Sequence, residues 1–561
     1  MTAITTAFGR RGRRLVTVAA GTAALSTAVL PGAGVAATMP SACSPDWPMY
    51  QHDAARTGAA CGAQVTTTNV AALVAQWQAR TANPVTATPT VAGDRVFVGD
   101  AGGIFYALNR ATGGQEWTFN ITSNSCHDDR HQVDFGGIPS TAAVATVNGR
   151  QLVILGGGGT LYALDATSGA CVWSQDLDPA NPQSEMEIES SPAVVAIHGH
   201  GLEVFVGSDS NEDPGHSAPT GVQAFDAATG ALRWKYEPEV GTSGAVVHSL
   251  DAPSNTNGCG DVWSSPAVDP AGAGGHGLVV FGIGNCPTRA TLDGIVALDA
   301  TTGAQRWRFE EPPSDYTSTS FQDGGDTDFG SSPILTGTGR VIEASKSGYV
   351  YAVDESSGAK VWSTQAAQPG QVGDTFGGAV GGFIGSAALG TATLPVAGEA
   401  QSTWFAASAI PTPLSSAGTP TTPSTPAAPV PDTSLACVDE GHGFAPTAAT
   451  PACDPLRAAS LHAVDALTGQ VRWQEPVSLP SYSAVTYAGG LVFAPSTTGF
   501  ELDAYDAGTG LPLWAFPLGA AVASGAAVAG PAVYVGSGIS EGGTAVPGIN
   551  GVWAFCLAGS C

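Results

Sequence analysis

The stretch 293-DGIVALDATTGAQRW-307 is an alternating apolar run ending on Asp299, a short polar turn closed by Gly303, and a second run that reaches Trp307. An acid at the first turn position bonds nearby backbone N–H groups, and glycine accepts the positive φ that a tight hairpin needs. The stretch therefore reads as a β-hairpin. The same grammar recurs in 103-GIFYALNRATGGQEW-117, 159-GTLYALDATSGACVW-173, 220-TGVQAFDAATGALRW-234, 348-GYVYAVDESSGAKVW-362, 459-ASLHAVDALTGQVRW-473 and 500-FELDAYDAGTGLPLW-514. Upstream of each hairpin lies another strand pair, as in 89-PTVAGDRVFVG-99 and 528-VAGPAVYVG-536. Such a unit is a propeller blade, and radial stacking lets a chain of 561 residues bury its apolar faces without one giant core.

The two ends of the repeat fit together. The last unit stops at 551-GVWAFCL-557 without a turn and outer tryptophan of its own, whereas 70-VAALVAQW-77 offers a strand with a tryptophan near the other end. The N-terminal strand is expected to complete the C-terminal blade, closing an all-β, eight-bladed β-propeller over residues 38–561. The tryptophans shared by the repeats read as packing anchors between blades, each with an N–H that finds a carbonyl. An insertion is expected in the sixth unit over residues 388–434, because 411-PTPLSSAGTPTTPSTPAAPVPDTS-434 is too rich in Pro, Thr and Ser to pack.

Charge and termini narrow the function. The chain carries 47 acids against 20 bases, and four of those bases lie in 10-RRGRR-14. Such an acidic surface repels phosphate backbones and anionic lipid, so no nucleic-acid partner is expected. The basic run is followed by apolar 15-LVTVAAGTAALSTAVL-30 and small residues through Ala37, which reads as a signal peptide over residues 1–37 and a secreted, extracytoplasmic protein. The apolar run is too short and too weakly apolar to favour a membrane span. All ten cysteines follow it, so disulfides are expected, and no Cys-x-x-Cys-His is present to attach a haem. His127 and His131 read as loop residues rather than a metal pair.

Blade openings share a pattern: 188-IESSP-192, 261-DVWSSP-266 and 327-TDFGSSP-333. With 46-DWPMYQHDAARTG-58 leading in, the repeat resembles the quinoprotein alcohol dehydrogenases that bind pyrroloquinoline quinone (PQQ), and within them the polyvinyl-alcohol-dehydrogenase-like members. The resemblance implies a set of site residues. Glu212 in 206-VGSDSNE-212 and Asn285 in 281-FGIGNCP-287 match calcium ligands, and Trp263 matches the ring on which the quinone stacks. Asp328 matches the catalytic acid, also a metal ligand, and Lys346 matches the basic residue beside the quinone oxygens. Ser190 and Ser191 are candidates for bonding the quinone carboxylates. Glycines in 153-VILGGGG-159 stand where many members carry adjacent cysteines, and Cys259 and Cys286, flanking the site, are expected to pair.

These residue types suit the implied chemistry. Calcium is a hard cation that prefers oxygen ligands, which a glutamate and an asparagine provide. A carboxylate near the cofactor can take an alcohol proton, and a fixed cation stabilises charge developing on the quinone. The resemblance thus implies oxidation of a small-molecule or polymeric alcohol with PQQ and Ca²⁺, electrons passing to an external acceptor. The rival reading is a cofactor-free extracellular propeller that binds a partner across its face.

Overall fold

The computed structural model describes residues 44–210, 220–238, 260–284, 293–312, 327–367, 382–393, 400–409, 437–438, 460–477, 481–497, 499–541, 544–545 and 548–557. Their strands form eight antiparallel sheets of a β-propeller, seven four-stranded and one five-stranded, with a small extra hairpin near residue 541. The repeat hairpin supplies the two outer strands of a blade. In the fourth blade, Gly294–Asp299 pairs with Gln305–Glu310. Asp299 Oδ1 accepts the N–H groups of Thr301 and Thr302 at 3.0 Å each, and Gly303 closes the turn at φ 68°.

The closing strand lies where the repeat count requires it. Leu73–Arg80 pairs antiparallel with Gly551–Leu557 and becomes the outer strand of the eighth blade. Part of the expected insertion is corrected by the structure: Ala388–Thr393 and Ala400–Ala407 are the first two strands of the sixth blade, inside the span 388–434. The Pro-rich stretch 411–434 lies outside the described residues.

Burial follows the ring. Eight apolar clusters are formed, each drawing on two successive blades, including the pair that joins the eighth blade to the first. Outer tryptophans work across such interfaces, although Trp362 covers Gly469 without a partner for its indole N–H among the described residues, contrary to the expected carbonyl bond. Trp307 donates its indole N–H to Glu355 O at 2.8 Å, and its ring covers the turn glycine Gly358 of the next blade. Trp173 does the same to Ala227 O and Gly230, and Trp77 to Arg110 O and Gly113. The turn glycine therefore satisfies two demands: a positive φ and the absence of a side chain under the neighbouring indole.

Two features tie the hub. The second hydroxyl of each opening accepts a backbone N–H from the preceding blade: Thr88 N–H to Thr141, Thr141 to Ser191, Ser191 to Ser265, Ser265 to Ser332 and Ser332 to Ser386, at 2.9–3.0 Å. The N-terminal segment crosses the axis and bonds the inner strands in turn, with Pro48 O accepting from Val144, Ala54 O from Val268, Ala55 O from Leu335 and Thr57 O from Leu389. Arg56, fully buried in this segment, donates to the carbonyls of Ser191, Pro266 and Tyr50. Burial brings its pKa down to about 10, yet it stays charged at neutral pH, with carbonyl oxygens around it in place of water.

A side chain at Gly230 meets both penalties at once, since its Cβ would lie 2.7 Å from the Trp173 ring at φ 71°. Gly230→Ala is expected to lower stability by about 2 kcal/mol or more. Gly93→Ala, at φ 59° with nothing within 4 Å, carries only the backbone penalty of about 1 kcal/mol. Urea midpoints of the two variants test this; equal shifts would mean that the indole contact contributes nothing.

Candidate functional site

The blade openings are in strict register, and the acids in them line up. Counting back five residues from the opening proline reaches Glu187 in the third blade, Asp261 in the fourth and Asp328 in the fifth. The backbone agrees: the carbonyl of each accepts an N–H from the tip of the next strand pair, Asp209 for Glu187, Gly284 for Asp261 and Lys346 for Asp328. Asp328 is therefore not a lone acid in its repeat. Three neighbouring blades present a carboxylate at the same height on one side of the hub.

Asp328 and Lys346 meet directly. The ammonium of Lys346 lies 2.8 Å from Asp328 Oδ2, and both residues are buried. The same ammonium stands 5.1 Å from the centroid of the Trp263 ring, within cation–π range. Trp263 is partly exposed and rests against Gly330, where a Cβ would fall 1.5 Å from the indole. Gly284 makes room in the same way, since a Cβ there would lie 3.0 Å from Asp328 Oδ1. The sequence-derived trio of Asp328, Lys346 and Trp263 is thus brought together by two glycines that leave space for it.

Ser190 and Ser191 have hub partners. Ser190 Oγ accepts from Gly207 N–H at 2.9 Å, and Ser191 Oγ accepts from Thr141 N–H at 3.0 Å. The equivalent Ser264 and Ser331 bond their own blades likewise, which gives the Ser-Ser-Pro element a role in every blade that has it. Glu212, Asn285, Cys259 and Cys286 lie outside the described residues. Cys126 and Cys171 form a disulfide, and Cys61 and Cys556 are also disulfide-bonded. His127 and His131 flank the carboxylate of Asp176 at 3.3 and 3.5 Å.

Sequence reasoning missed the acids beside the trio. Glu187 is buried and accepts N–H groups from Asp134 and Phe135 at 3.1 and 3.3 Å. Desolvation, and then the charge of Asp209, push its pKa well above the ordinary carboxylate range. Glu189 is pushed up to about 8 by desolvation first and Glu187 second, while Lys346 draws it back. Asp209, 2% exposed, is raised by burial and by Glu189, to which its side chain is hydrogen-bonded. Its Oδ1 is buried with no hydrogen-bond partner. Burial and mutual repulsion thus favour the protonated form of both carboxyl groups. Superposing the openings on their Ser-Ser-Pro would have found Glu187 and Asp261.

The donor set can be matched against the cofactor and ion that the resemblance implies. A ring-shaped aromatic floor, one fixed cation and an orphaned buried carboxylate oxygen suit a planar quinone with a hard cation beside it. Among the described residues no group of three His, Cys, Asp or Glu side chains is arranged to hold a metal ion. The expected ligands Glu212 and Asn285 would have to supply that centre together with Asp328.

An eight-bladed ring whose strand tips collect acids, a lysine and an indole is a β-propeller with a polar site built at its hub. The sequence profile described as glucose/ethanol/alcohol dehydrogenase, beta-propeller domain, matches residues 47–366. The chain belongs to that family. A second profile, that of an outer membrane protein assembly factor, matches residues 423–551. The chain is 25% identical over 332 residues to a polyvinylalcohol dehydrogenase from a Pseudomonas species, covering 55% of this chain and 49% of the relative. It is 26% identical over 355 residues to a quinohemoprotein alcohol dehydrogenase from Comamonas testosteroni, covering 56% and 46%. The chain thus spans about half the length of these curated relatives. Solved structures share the fold: the Comamonas testosteroni quinohemoprotein alcohol dehydrogenase (TM-score 0.60, 20% identity, 93% of this chain and 82% of that one) and a europium-containing methanol dehydrogenase (0.61, 19%, 92% and 98%).

The raised carboxyl groups make stability depend on pH. Glu187, Glu189 and Asp209 hold protons in the fold where the unfolded chain has released them. Between their ordinary values and the folded ones, the folded state binds more protons, so stability falls as pH rises. Urea midpoints measured with a chelator are expected to drop between about pH 5 and about pH 8, and Glu189→Gln is expected to flatten the slope. An unchanged slope in the variant would remove Glu189 from this account.

Proposed function

We propose that the chain is a secreted quinoprotein dehydrogenase that oxidises a small or polymeric alcohol with Ca²⁺-bound PQQ and hands the electrons to an external acceptor. The observation that carries this reading is the Asp328–Lys346 ion pair set over the Trp263 ring. Family membership and the names of the relatives, polyvinylalcohol and quinohemoprotein alcohol dehydrogenases, support the substrate class. No described helix is long and apolar enough to cross a membrane.

When bound, PQQ supplies the hydride acceptor and the ion polarises its reactive carbonyl. The chain's own residues have separable tasks. Trp263 offers an apolar plane on which a flat ring stacks, held in place by its contact with Gly330. Asp328 takes the hydroxyl proton of the alcohol at its carboxylate as the substrate is oxidised. Lys346 donates to the carboxylate of Asp328, orienting it, and places a positive charge where negative charge develops. Glu212 and Asn285 would complete the oxygen shell of the ion.

Burial of the pair excludes water from the proton transfer, so removing the base should eliminate turnover rather than slow it slightly. Purified protein mixed with Ca²⁺ and PQQ is expected to show quinone absorbance and to reduce a dye when alcohol is added. Asp328→Asn is expected to retain PQQ and lose at least about a thousandfold in kcat, consistent with loss of both proton transfer and charge placement. Turnover at the wild-type rate in that variant would reject Asp328 as the base. Absence of PQQ uptake by the wild-type protein would leave the binding propeller.

A further inference from the structure

The tip that carries Lys346 is built differently from the equivalent tip of the first blade. There, Asp100 organises its own hairpin: Oδ1 accepts N–H groups from Gly102 and Ile104 at 3.0 Å each, and Oδ2 accepts the Tyr106 hydroxyl at 2.9 Å. The backbones match closely. Asp100 N–H donates to Ile104 O and Gly103 N–H to Asp100 O; Ser345 N–H donates to Tyr349 O and Gly348 N–H to Ser345 O. Ala101 N–H donates to Pro84 O as Lys346 N–H donates to Asp328 O. In the fifth blade, then, Ser345 replaces the acid, Lys346 replaces alanine and Tyr351 replaces Tyr106.

The missing carboxylate is supplied from another blade. Glu311, one residue past the outer strand Gln305–Glu310 of the fourth blade, is buried under the tip. Its Oε1 accepts the hydroxyls of Ser347 and Tyr351 at 2.6 Å each, and its Oε2 accepts Ser345 Oγ at 3.4 Å. The two serine hydroxyls bond each other, and Ser345 Oγ accepts Ser347 N–H at 3.2 Å. Glu311 thereby holds Ser347 directly, through a charge-assisted bond roughly twice as strong as a neutral one, and Ser345 chiefly through the Ser347 hydroxyl.

We propose that Glu311 is a positioning residue for Lys346, fixing the Ser345–Ser347 tip so that the ammonium is held against Asp328 and over Trp263. The proposal rests on the reading of Lys346 as the cation beside the cofactor. A lysine side chain has several rotatable bonds and much rotamer entropy to lose, so a rigid base for it matters. Glu311 and Trp263 both belong to the fourth blade, and Lys346 to the fifth. One carboxylate therefore sets the cation relative to the indole across a blade interface.

Two measurements on the full chain test this, and they fail separately. In the first, the protein without PQQ is treated with an amine-acylating reagent and mapped by peptide mass. Glu311→Gln is expected to speed acylation of Lys346 about tenfold while leaving Lys235, an equally buried lysine of the third blade paired with Glu237, unchanged. Unchanged Lys346 reactivity, or equal acceleration at both lysines, overturns the proposal. In the second, PQQ affinity and kcat are measured for Glu311→Gln, Lys346→Met and the double variant. A residue that acts through Lys346 loses its effect once the lysine is gone, so non-additive losses support the proposal and additive ones overturn it. Should the wild-type protein take up no PQQ, the proposed function falls and the acylation result alone judges Glu311. If Glu311→Gln does not fold, Ser347→Ala removes one of the 2.6 Å contacts and carries the same expectation.

Discussion

The contact between an outer tryptophan and the turn glycine of the next blade is the constraint on which the rest of this molecule depends. A four-stranded blade has two apolar faces and cannot bury both alone. The ring solves this by giving each face a neighbour, and the indole resting on Gly358, Gly230 or Gly113 sets how closely neighbours approach. The indole N–H then bonds a carbonyl of that neighbour, so spacing and register are set together. Closure by Leu73–Arg80 extends the same contact to the last interface, where Trp77 covers Gly113.

With spacing fixed, the openings converge on the hub at a common height, and the chemistry of the site follows from which residues the openings carry. The hydroxyl chain from Thr88 to Ser386 locks them laterally. Side chains ahead of that chain are pointed at one another by the backbone rather than by mutual attraction, which is how Glu187, Glu189, Asp209 and Asp261 can crowd together at an electrostatic cost. That cost is what raises Glu189 and Asp209 above the ordinary carboxylate range, and the charge of Lys346 draws Glu189 back in part. The N-terminal segment closes the axis with Arg56, whose partners are carbonyls of Ser191 and Pro266, at the proline end of two of these openings.

The fold was legible because it is periodic. Hairpin, turn acid, glycine and tryptophan recur at fixed offsets, and each has a local physical reason that a single chain displays. Blade number and closure followed from a missing strand at one end and a spare strand at the other. The sixth blade was less legible: Ala388–Thr393 and Ala400–Ala407 contain small and polar residues that mimic the start of a linker, and only their pairing with each other, and of the second with Ser460–Asp465, reveals them as strands. Asp328, Lys346 and Trp263 were singled out through the resemblance to the quinoprotein family, at positions that match its motifs. Glu187 and Asp261 were passed over because each, viewed singly, is an acid before an apolar residue; only the register shared with Asp328 shows that all three face the same place.

Glu311 was illegible for a different reason. It follows the outer strand of one blade and acts on the tip of the next, so no window of sequence contains both the carboxylate and the hydroxyls it holds. The repeat does offer an indirect sign. At the tip of the first blade an aspartate sits where the fifth has Ser345, and a tyrosine follows in both; Ser345 and Ser347 Oγ take over the turn N–H groups of the fifth blade, but the tyrosine hydroxyl needs an acceptor that its own hairpin no longer provides. A repeat that loses a residue with a fixed structural task either weakens at that point or obtains the group from elsewhere. Here the substitution frees the tip for a lysine without placing an acid in the same turn, where it would compete with Asp328 for the ammonium. The carboxylate from the neighbouring blade keeps the turn ordered, and the ion pair with Asp328 forms above it.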